Sequence, residues 1–474
     1  MQNTLFAVVA AFAVLAAGCA DDSSENAEAP AGDSSLPPVV EAAQPLPSST
    51  TVAEELVDVI GLTGDVAPAH DPDIAHDGDW YYVFLTGPGV TVKRSRDLVH
   101  WESTDSVFAD PMPAWIDYEW VEPGGGLGAP DVEWFGDRWH LYYHAHEFAT
   151  SNAVTGHASN VTLDVDDPDY EWIDDGLVMA STSDDSYSVL DANALVDQDG
   201  VPWLSFGSFW DGIQLVELDP ATGAPLTDAP YHPLAARDPW ILGVEASSMA
   251  FRDGYWYLFV SWGFCCQGVD TQYELRVGRS RDVAGPYVDI LNRPMMENGG
   301  SLLLGAYDRV RGPGSGDVLV TDDDSVLVHH WYDADNDGES TLGVRPLLWA
   351  PDGWPIAADP GFEPVDPNTT DTTAIAGTWT LSQYRDGQEA TLELVADGSL
   401  GQGLGRWAYD SASGVVDITI EAECPSLEGG SHMFFVGSDL TSGFGHSDAP
   451  FPLRTHRSEE PVPSTCEKGA NAET

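Results

Sequence analysis

Basic residues are what this chain lacks most. Against 78 aspartates and glutamates it sets 18 lysines and arginines, a formal net charge of −60 over 474 residues. Only Lys93 and Lys468 are lysines. Such a charge repels nucleic acid and anionic membrane surfaces, so neither is a partner. It also disfavours acidic polymers as ligands. The acidity itself suits either halophilic adaptation or a simply solvated surface. Helical periodicity is absent almost throughout, which excludes an all-α or α/β architecture and leaves an all-β one. Long apolar runs are scarce as well. The one at the start, Leu5 to Ala17, is too short to cross a membrane as a mature helix. It ends in Leu15-Ala16-Ala17-Gly18-Cys19, small residues before a cysteine, and resembles the end of a bacterial lipoprotein signal. Residues 1–19 therefore read as an export signal with Cys19 as the lipidated first residue, although Met1-Gln2-Asn3-Thr4 brings no positive charge. An ordinary cleaved signal is the alternative.

Cysteine is sparse too, with five in all. Export permits disulfides. Adjacent Cys265 and Cys266 read as two packed thiols, because a bond between neighbours closes a strained ring. Cys424 with Cys466 reads as a staple of the C-terminal region. Residues 20–58 lack the apolar side chains needed to offset chain entropy and are predicted to be a disordered tether.

What is present, repeatedly, is one unit: an acidic or small residue, a β-rich stretch, a turn with Asp or Gly, then an aromatic strand. It runs Asp71-Pro72-Asp73-Ile74 to Trp80-Tyr81-Tyr82-Val83-Phe84, and again Ala129-Pro130-Asp131-Val132 to Trp139-His140-Leu141-Tyr142-Tyr143. Further copies start at Asp191, Glu245 and, more weakly, Ser315. Five all-β units of this length predict a five-bladed β-propeller over residues 59–356. Inner strands line the hub of a propeller, so the five starts form a ring: Asp71, Ala129, Asp191, Glu245, Ser315. Three carboxylates at a hub raise one another's pKa and are costly unless used. Two carboxyl groups with divided protonation are what glycoside hydrolysis needs.

At these residues the chain resembles glycoside hydrolase family 43, and within it the endo-α-1,5-L-arabinanases. The resemblance covers roughly Leu62 to Pro355. It is carried by His70-Asp71-Pro72, by the run from Trp203 to Pro220, by Phe264-Cys265-Cys266 with Gly268-Val269-Asp270, and by Asp352-Gly353-Trp354-Pro355. The resemblance implies an inverting mechanism on a neutral plant polysaccharide, arabinan. Asp71 matches the general base, Glu245 the general acid, and Asp191 the carboxylate that raises the acid's pKa. Ser208, Phe209 and Trp210 match a segment that contacts sugar, and Asn193 and Ser188 beside Asp191 join them as substrate-binding candidates. The chain departs from the pattern at several places. Gly128 stands where the family commonly has Trp, and Ser188-Val189-Leu190 replaces Asn-Ala-Ile. Ser315 replaces a histidine that helps hold a metal ion, often calcium, at the propeller centre. No metal ligand is assigned here, and no other cofactor is expected.

A linker rich in Asp, Pro and Thr follows over residues 357–373. Beyond it, alternating strands such as Ala390-Thr391-Leu392-Glu393-Leu394 predict a small antiparallel β-barrel over 374–474, which resembles the lipocalin-like domain of longer arabinanases. The chain is expected to be a monomer. Two other readings stay open from the residues: an arabinofuranosidase or xylosidase on the same propeller, and a non-catalytic glycan-binding surface lipoprotein.

Overall fold

The Asp/Gly turns of the repeat close hairpins. Gly78 (φ 61°) and Asp79 join Asp77 to Trp80, Gly136 and Asp137 (φ 56° and 74°) join Phe135 to Arg138, and Asp253 and Gly254 (φ 51° and 80°) join Arg252 to Tyr255. Positive φ is what a two-residue hairpin requires, and Gly or Asp supplies it most readily. The strands that follow are apolar on both faces because blades pack face against face, so Tyr82, Val83, Phe84 and Leu85 are all buried. The computed structural model describes residues 61–458 and Cys466, apart from 120, 122–125, 322–324, 384–388, 423, 425–426, 428–429 and 449–450. The export signal, Cys19 and the whole of the tether lie outside the described residues.

Five sheets form in sequence order, with inner strands Asp73–Asp77, Gly128–Phe135, Asn193–Val196, Val244–Arg252 and Val310–Val320. Each is antiparallel. Blade one carries an extra outer strand, Thr63–Gly64, paired in parallel with His100–Ser103. The blades are stitched by one belt of side chains, two residues after each blade start. Asp73 accepts from Val132 N (3.0 Å), Asp131 from Ala194 N (2.7 Å), Asn193 from Met249 N (3.0 Å) and Asp317 from Ile74 N (3.1 Å), while Ser248 donates to Gly316 O (2.8 Å). Asp317 closes the ring between last blade and first. It is joined there by Ala69 N to Ser340 O, Leu342 N to Val66 O (2.9 Å each), and a core of Ile74, Val83, Trp101, Val328 and Leu342.

The C-terminal region is a seven-stranded antiparallel sheet spanning Gly377–Gln383 to Pro452–Arg457. Its end strands, Glu389–Leu394 and Gly405–Asp410, are tied through the bridges Leu394–Leu400 and Ser399–Arg406. Its core holds Trp379, Leu392, Trp407 and Phe434. The segment expected as a linker is packed rather than free. Ala358 and Val365 are buried, Val365 N bonds to Val436 O, and Asp359 receives both Arg345 of blade five and Arg454 of the C-terminal sheet. Apolar side chains at 358 and 365 are the reason, since they find cover on both sides. Cys424 and Cys466 are bonded. Cys265 and Cys266 are bonded too, which corrects the expectation of two thiols: Cys266 adopts φ 68°, a turn in which neighbouring sulfurs meet.

Candidate active site

Each blade begins on a residue with left-handed backbone: Asp71 (φ 47°), Ala129 (31°), Asp191 (54°), Ala246 (50°) and Ser315 (48°). Non-glycine residues pay roughly 1–2 kcal/mol for that conformation and keep it only where their surroundings hold them. The ring expected from the repeat is therefore right at four places and displaced by one at the fourth blade. Ala246, not Glu245, is the equivalent of Asp71. The ladder shifts register across this start, between Glu245 and Ser248, as it does across the starts of blades two and five, between Gly128 and Asp131 and between Gly314 and Asp317. A one-residue step turns a side chain to the other face, so Glu245 takes partners that the other starts do not have.

Asp71 is gripped from three sides. Its Oδ2 lies 2.8 Å from His70 Nδ1 and accepts from Thr86 Oγ1 at 2.6 Å, and its main-chain N–H donates to His330 Nδ1 at 3.1 Å. His70 Nε2 pairs with Tyr332 Oη at 2.8 Å. Burial pushes the Asp71 pKa up, but the His70 charge and hydrogen bond, then His330 and Thr86, outweigh it and hold the carboxyl well below the usual range. For His70, burial pushes the pKa down, and the Asp71 charge and hydrogen bond reverse that into a net rise. The result is an ion pair with an ionised aspartate.

Glu245 receives two hydroxyls, Ser208 Oγ on Oε2 at 2.6 Å and Tyr273 Oη on Oε1 at 2.7 Å. Burial raises its pKa, Ser208 and Tyr273 oppose that, and the Asp71 charge adds to the rise. Asp191 accepts from Ala246 N through Oδ2 at 3.1 Å and donates its own N–H to His144 Nδ1 at 3.3 Å. Burial, then Glu245, then Asp71 raise it well above the ordinary value. The Asp191–Glu245 pair thus keeps a proton above the pH at which ordinary carboxyls lose theirs, while Asp71 stays ionised. Environments that push carboxyl pKa values apart divide acid from base.

Of the other expected contacts, Phe209 and Trp210 follow Ser208 and are half-buried. Phe209 lies 5.6 Å from Phe264, and Trp210 stacks on Trp240 at 5.6 Å and 11°. Asn193 has both ends of its amide spent, on Asp131 (2.6 Å) and Met249 N, because it belongs to the interblade belt. Ser188 is buried at 1 % exposure, with no hydrogen-bond partner for its hydroxyl among the described residues. His330, Tyr273, Tyr332, Thr86 and Trp240 were not expected. His70 was noted only as part of a motif, although its place beside Asp71 was the available signal.

Asp71 and Asp191 also line a cavity that Asp73, Asp131, Asp317, Asn193, Ser248 and Ser315, among others, enclose. Burial raises the pKa of the belt aspartates Asp73, Asp131 and Asp317, and for Asp73 and Asp131 the neighbouring carboxylates add to it. The imidazole-anchored calcium that the resemblance implies does not fit here. Position 315 is serine, no histidine lines the cavity, and its aspartates accept the interblade N–H groups. His70, Asp71 and His330 come close enough to share an ion. Both nitrogens of His70, however, are engaged by Asp71 and Tyr332, and Nδ1 of His330 by the Asp71 N–H.

The chain is similar to known enzymes across this domain. It is 36 % identical over 290 residues to the extracellular endo-α-(1→5)-L-arabinanase 1 of Bacillus subtilis strain 168, covering 60 % of this chain and 86 % of that one. It is 35 % identical over 296 residues to the extracellular exo-α-(1→5)-L-arabinofuranosidase ArbA of Cellvibrio japonicus, covering 60 % and 85 %. Kinship at this level thus spans endo and exo names alike. The solved endo-1,5-α-L-arabinanase of Thermotoga petrophila RKU-1 shares the fold over 83 % of this chain and 99 % of its own, with a TM-score of 0.68 at 22 % identity, so the likeness extends beyond the propeller. The family model of glycosyl hydrolases family 43 matches residues 66–355. With five blades, three converging carboxylates and that match over more than half its length, the chain belongs to glycosyl hydrolases family 43.

Proposed function

We propose that the protein hydrolyses α-1,5-L-arabinan or arabino-oligosaccharides with inversion at the anomeric carbon. The observation that carries this is the division among the carboxyls: Asp71 is held ionised by His70, while burial and mutual repulsion make the Glu245–Asp191 pair hold on to a proton. In the reaction, Asp71 removes a proton from water as the water oxygen bonds to the anomeric carbon. Glu245 gives its proton to the glycosidic oxygen as that bond breaks. Asp191 keeps the proton on the acid and holds the start of blade four through Ala246 N. Ser208 and Tyr273 then stabilise the Glu245 carboxylate left behind. No step runs through a metal.

The apolar cluster of Phe209, Trp210, Trp240 and Phe264 suits the less polar faces of furanose rings. The names of the two relatives above support export of this chain. Attachment to a membrane through a lipidated Cys19, and action as a monomer, are further parts of the proposal. Mass spectrometry of the mature N-terminus tests the first, with a diacylglyceryl cysteine expected and an unmodified cleaved end contradicting it.

The activity is tested by reducing-sugar release from debranched arabinan. The wild type is expected to release sugar and Asp71→Asn and Glu245→Gln to lose it. Equal, negligible release by all three, with arabinan still bound, would show a binding protein instead.

A further inference from the structure

Every left-handed blade start carries a backbone N–H at the cleft floor, and a buried N–H needs an acceptor. At four of the five junctions the acceptor is a side chain fifteen residues after the start of the preceding blade. Thr86 caps Ala129 (2.8 Å), His144 caps Asp191 (3.3 Å), Ser261 caps Ser315 (2.8 Å) and His330 caps Asp71 (3.1 Å). At the fifth, the corresponding residue is Phe206, fully buried, and Asp191 takes over: its Oδ2 caps Ala246. Asp191 is thus capped by one blade and is itself the cap of another.

At Asp191 the kind of cap bears on the carboxylate it holds, whereas Asp71 takes a hydroxyl proton from Thr86 besides its imidazole cap. Hydroxyls serve Ala129 and Ser315, which carry no carboxylate. Imidazoles serve Asp71 and Asp191. A hydroxyl that accepts an N–H still has a proton to give, and a nearby carboxylate would take it and become more acidic. An imidazole accepting through Nδ1 has no proton on that edge. His144 Nδ1 lies 3.8 Å from Asp191 Oδ1, so it holds the main chain without feeding the carboxylate a proton. Burial, and next to it His146, push the His144 pKa down to about 3, which keeps the ring neutral at any working pH above that.

The chain has made room for this ring. A Cβ at Gly128 would stand 2.2 Å from His144 Nε2, so no side chain at 128 can coexist with the imidazole as placed. The glycine in the place of the family's tryptophan and the buried imidazole are one arrangement.

We propose that His144 is a positioning residue of the active site: its neutral Nδ1 holds the Asp191 main chain so that Asp191 Oδ2 clamps the Ala246 N–H beside Glu245. The proposal rests on the reading of Glu245 as the acid. The groups facing Asp191 are His144 of blade two, Glu245 and the Ala246 N–H of blade four, and Asp71 of blade one. Those facing Glu245 are Ser208, Tyr273, Asp71, His70 and Asp191, whose own pKa Glu245 raises. Without the cap, Asp191 relaxes away from Glu245, the repulsion on Glu245 falls, and its proton is lost at lower pH.

The test compares wild type, His144→Ala, His144→Asn and His144→Gln on arabino-oligosaccharides, reading kcat, KM and the pH profile. Asn carries an acceptor where Nδ1 was; Gln carries its amide where Nε2 was. His144→Ala and His144→Gln are expected to lower kcat about tenfold, leave KM within about threefold, and move the alkaline limb down by about half a pH unit. His144→Asn is expected to stay near wild type in all three. A folded His144→Ala with an unmoved limb overturns the proposal, as does Gln rescuing where Asn does not. If His144→Ala does not fold, the Asn and Gln pair decides. A wild type inactive on arabinan defeats the proposed function, a different result from an active wild type insensitive at position 144.

Discussion

Removing one hydroxyl from the acid's environment gives a shift whose sign and size follow from the site. Tyr273 Oη donates to Glu245 Oε1 at 2.7 Å, and that bond lowers the glutamate's pKa against the rise caused by burial. A hydrogen bond to a charged acceptor is worth about 1.5–3 kcal/mol and one to a neutral acceptor about 1. Tyr273→Phe therefore takes about 1 kcal/mol more from the ionised form than from the protonated one. At 1.36 kcal/mol per unit this raises the Glu245 pKa by about 0.7. The alkaline limb of kcat/KM reports that group in the free enzyme, because activity needs the acid protonated. It is expected to move up by about 0.5–1 pH unit, with the plateau rate within about threefold of wild type. The ring of Tyr273, stacked 5.8 Å from His330, is kept by phenylalanine, so packing is little disturbed. The assay is a pH series on a linear arabino-oligosaccharide. A limb that stays in place or moves down refutes the assignment of Glu245 as the acid.

Other outcomes follow from the same geometry. Glu245→Gln is expected to lose about 10²–10⁴-fold on arabinan but far less on an aryl arabinofuranoside, whose leaving group needs no proton; equal losses on both would contradict an acid role. Trp240→Ala removes the partner stacked on Trp210 and is expected to raise KM for arabinan about 5–10-fold, from about 1–1.5 kcal/mol of aromatic contact, with kcat on the aryl substrate unchanged. Asp317→Ala leaves the Ile74 N–H without its acceptor where the ring closes, at a cost of about 1–3 kcal/mol read as a lower Tm by calorimetry; an unchanged Tm would mean that the belt does not hold the blades.

Much of this was legible before any fold was known. The Asp/Gly hairpins and the returning aromatic strands mark the five blades, because a two-residue turn demands residues that accept positive φ. Asp71 and Asp191 stand at blade starts as expected. Glu245 stands one residue before its blade start, because the left-handed position falls on Ala246 and unequal blade lengths leave spacing alone unable to fix it to one residue. Asn193 misleads because both ends of its amide, two residues beyond Asp191, are taken up by the interblade belt. Partners such as His330 and Tyr332 lie some 260 residues from Asp71 and His70 and meet them only because the ring closes. The caps sit at a constant interval, but Thr, His, Phe, Ser and His at five equivalent places share no residue type, so similarity does not reveal them. The packed segment after blade five had polar composition, yet a few apolar side chains, Ala358 and Val365, decide its place.

The central claim is that Asp71 activates water on the face opposite the Glu245-protonated leaving group. Proton NMR of the first sugar released from an α-1,5-linked arabino-oligosaccharide tests it most directly, followed before mutarotation scrambles the signal. The account predicts that the β-anomer appears first and the α-anomer grows in later; an initial α-anomer would contradict it.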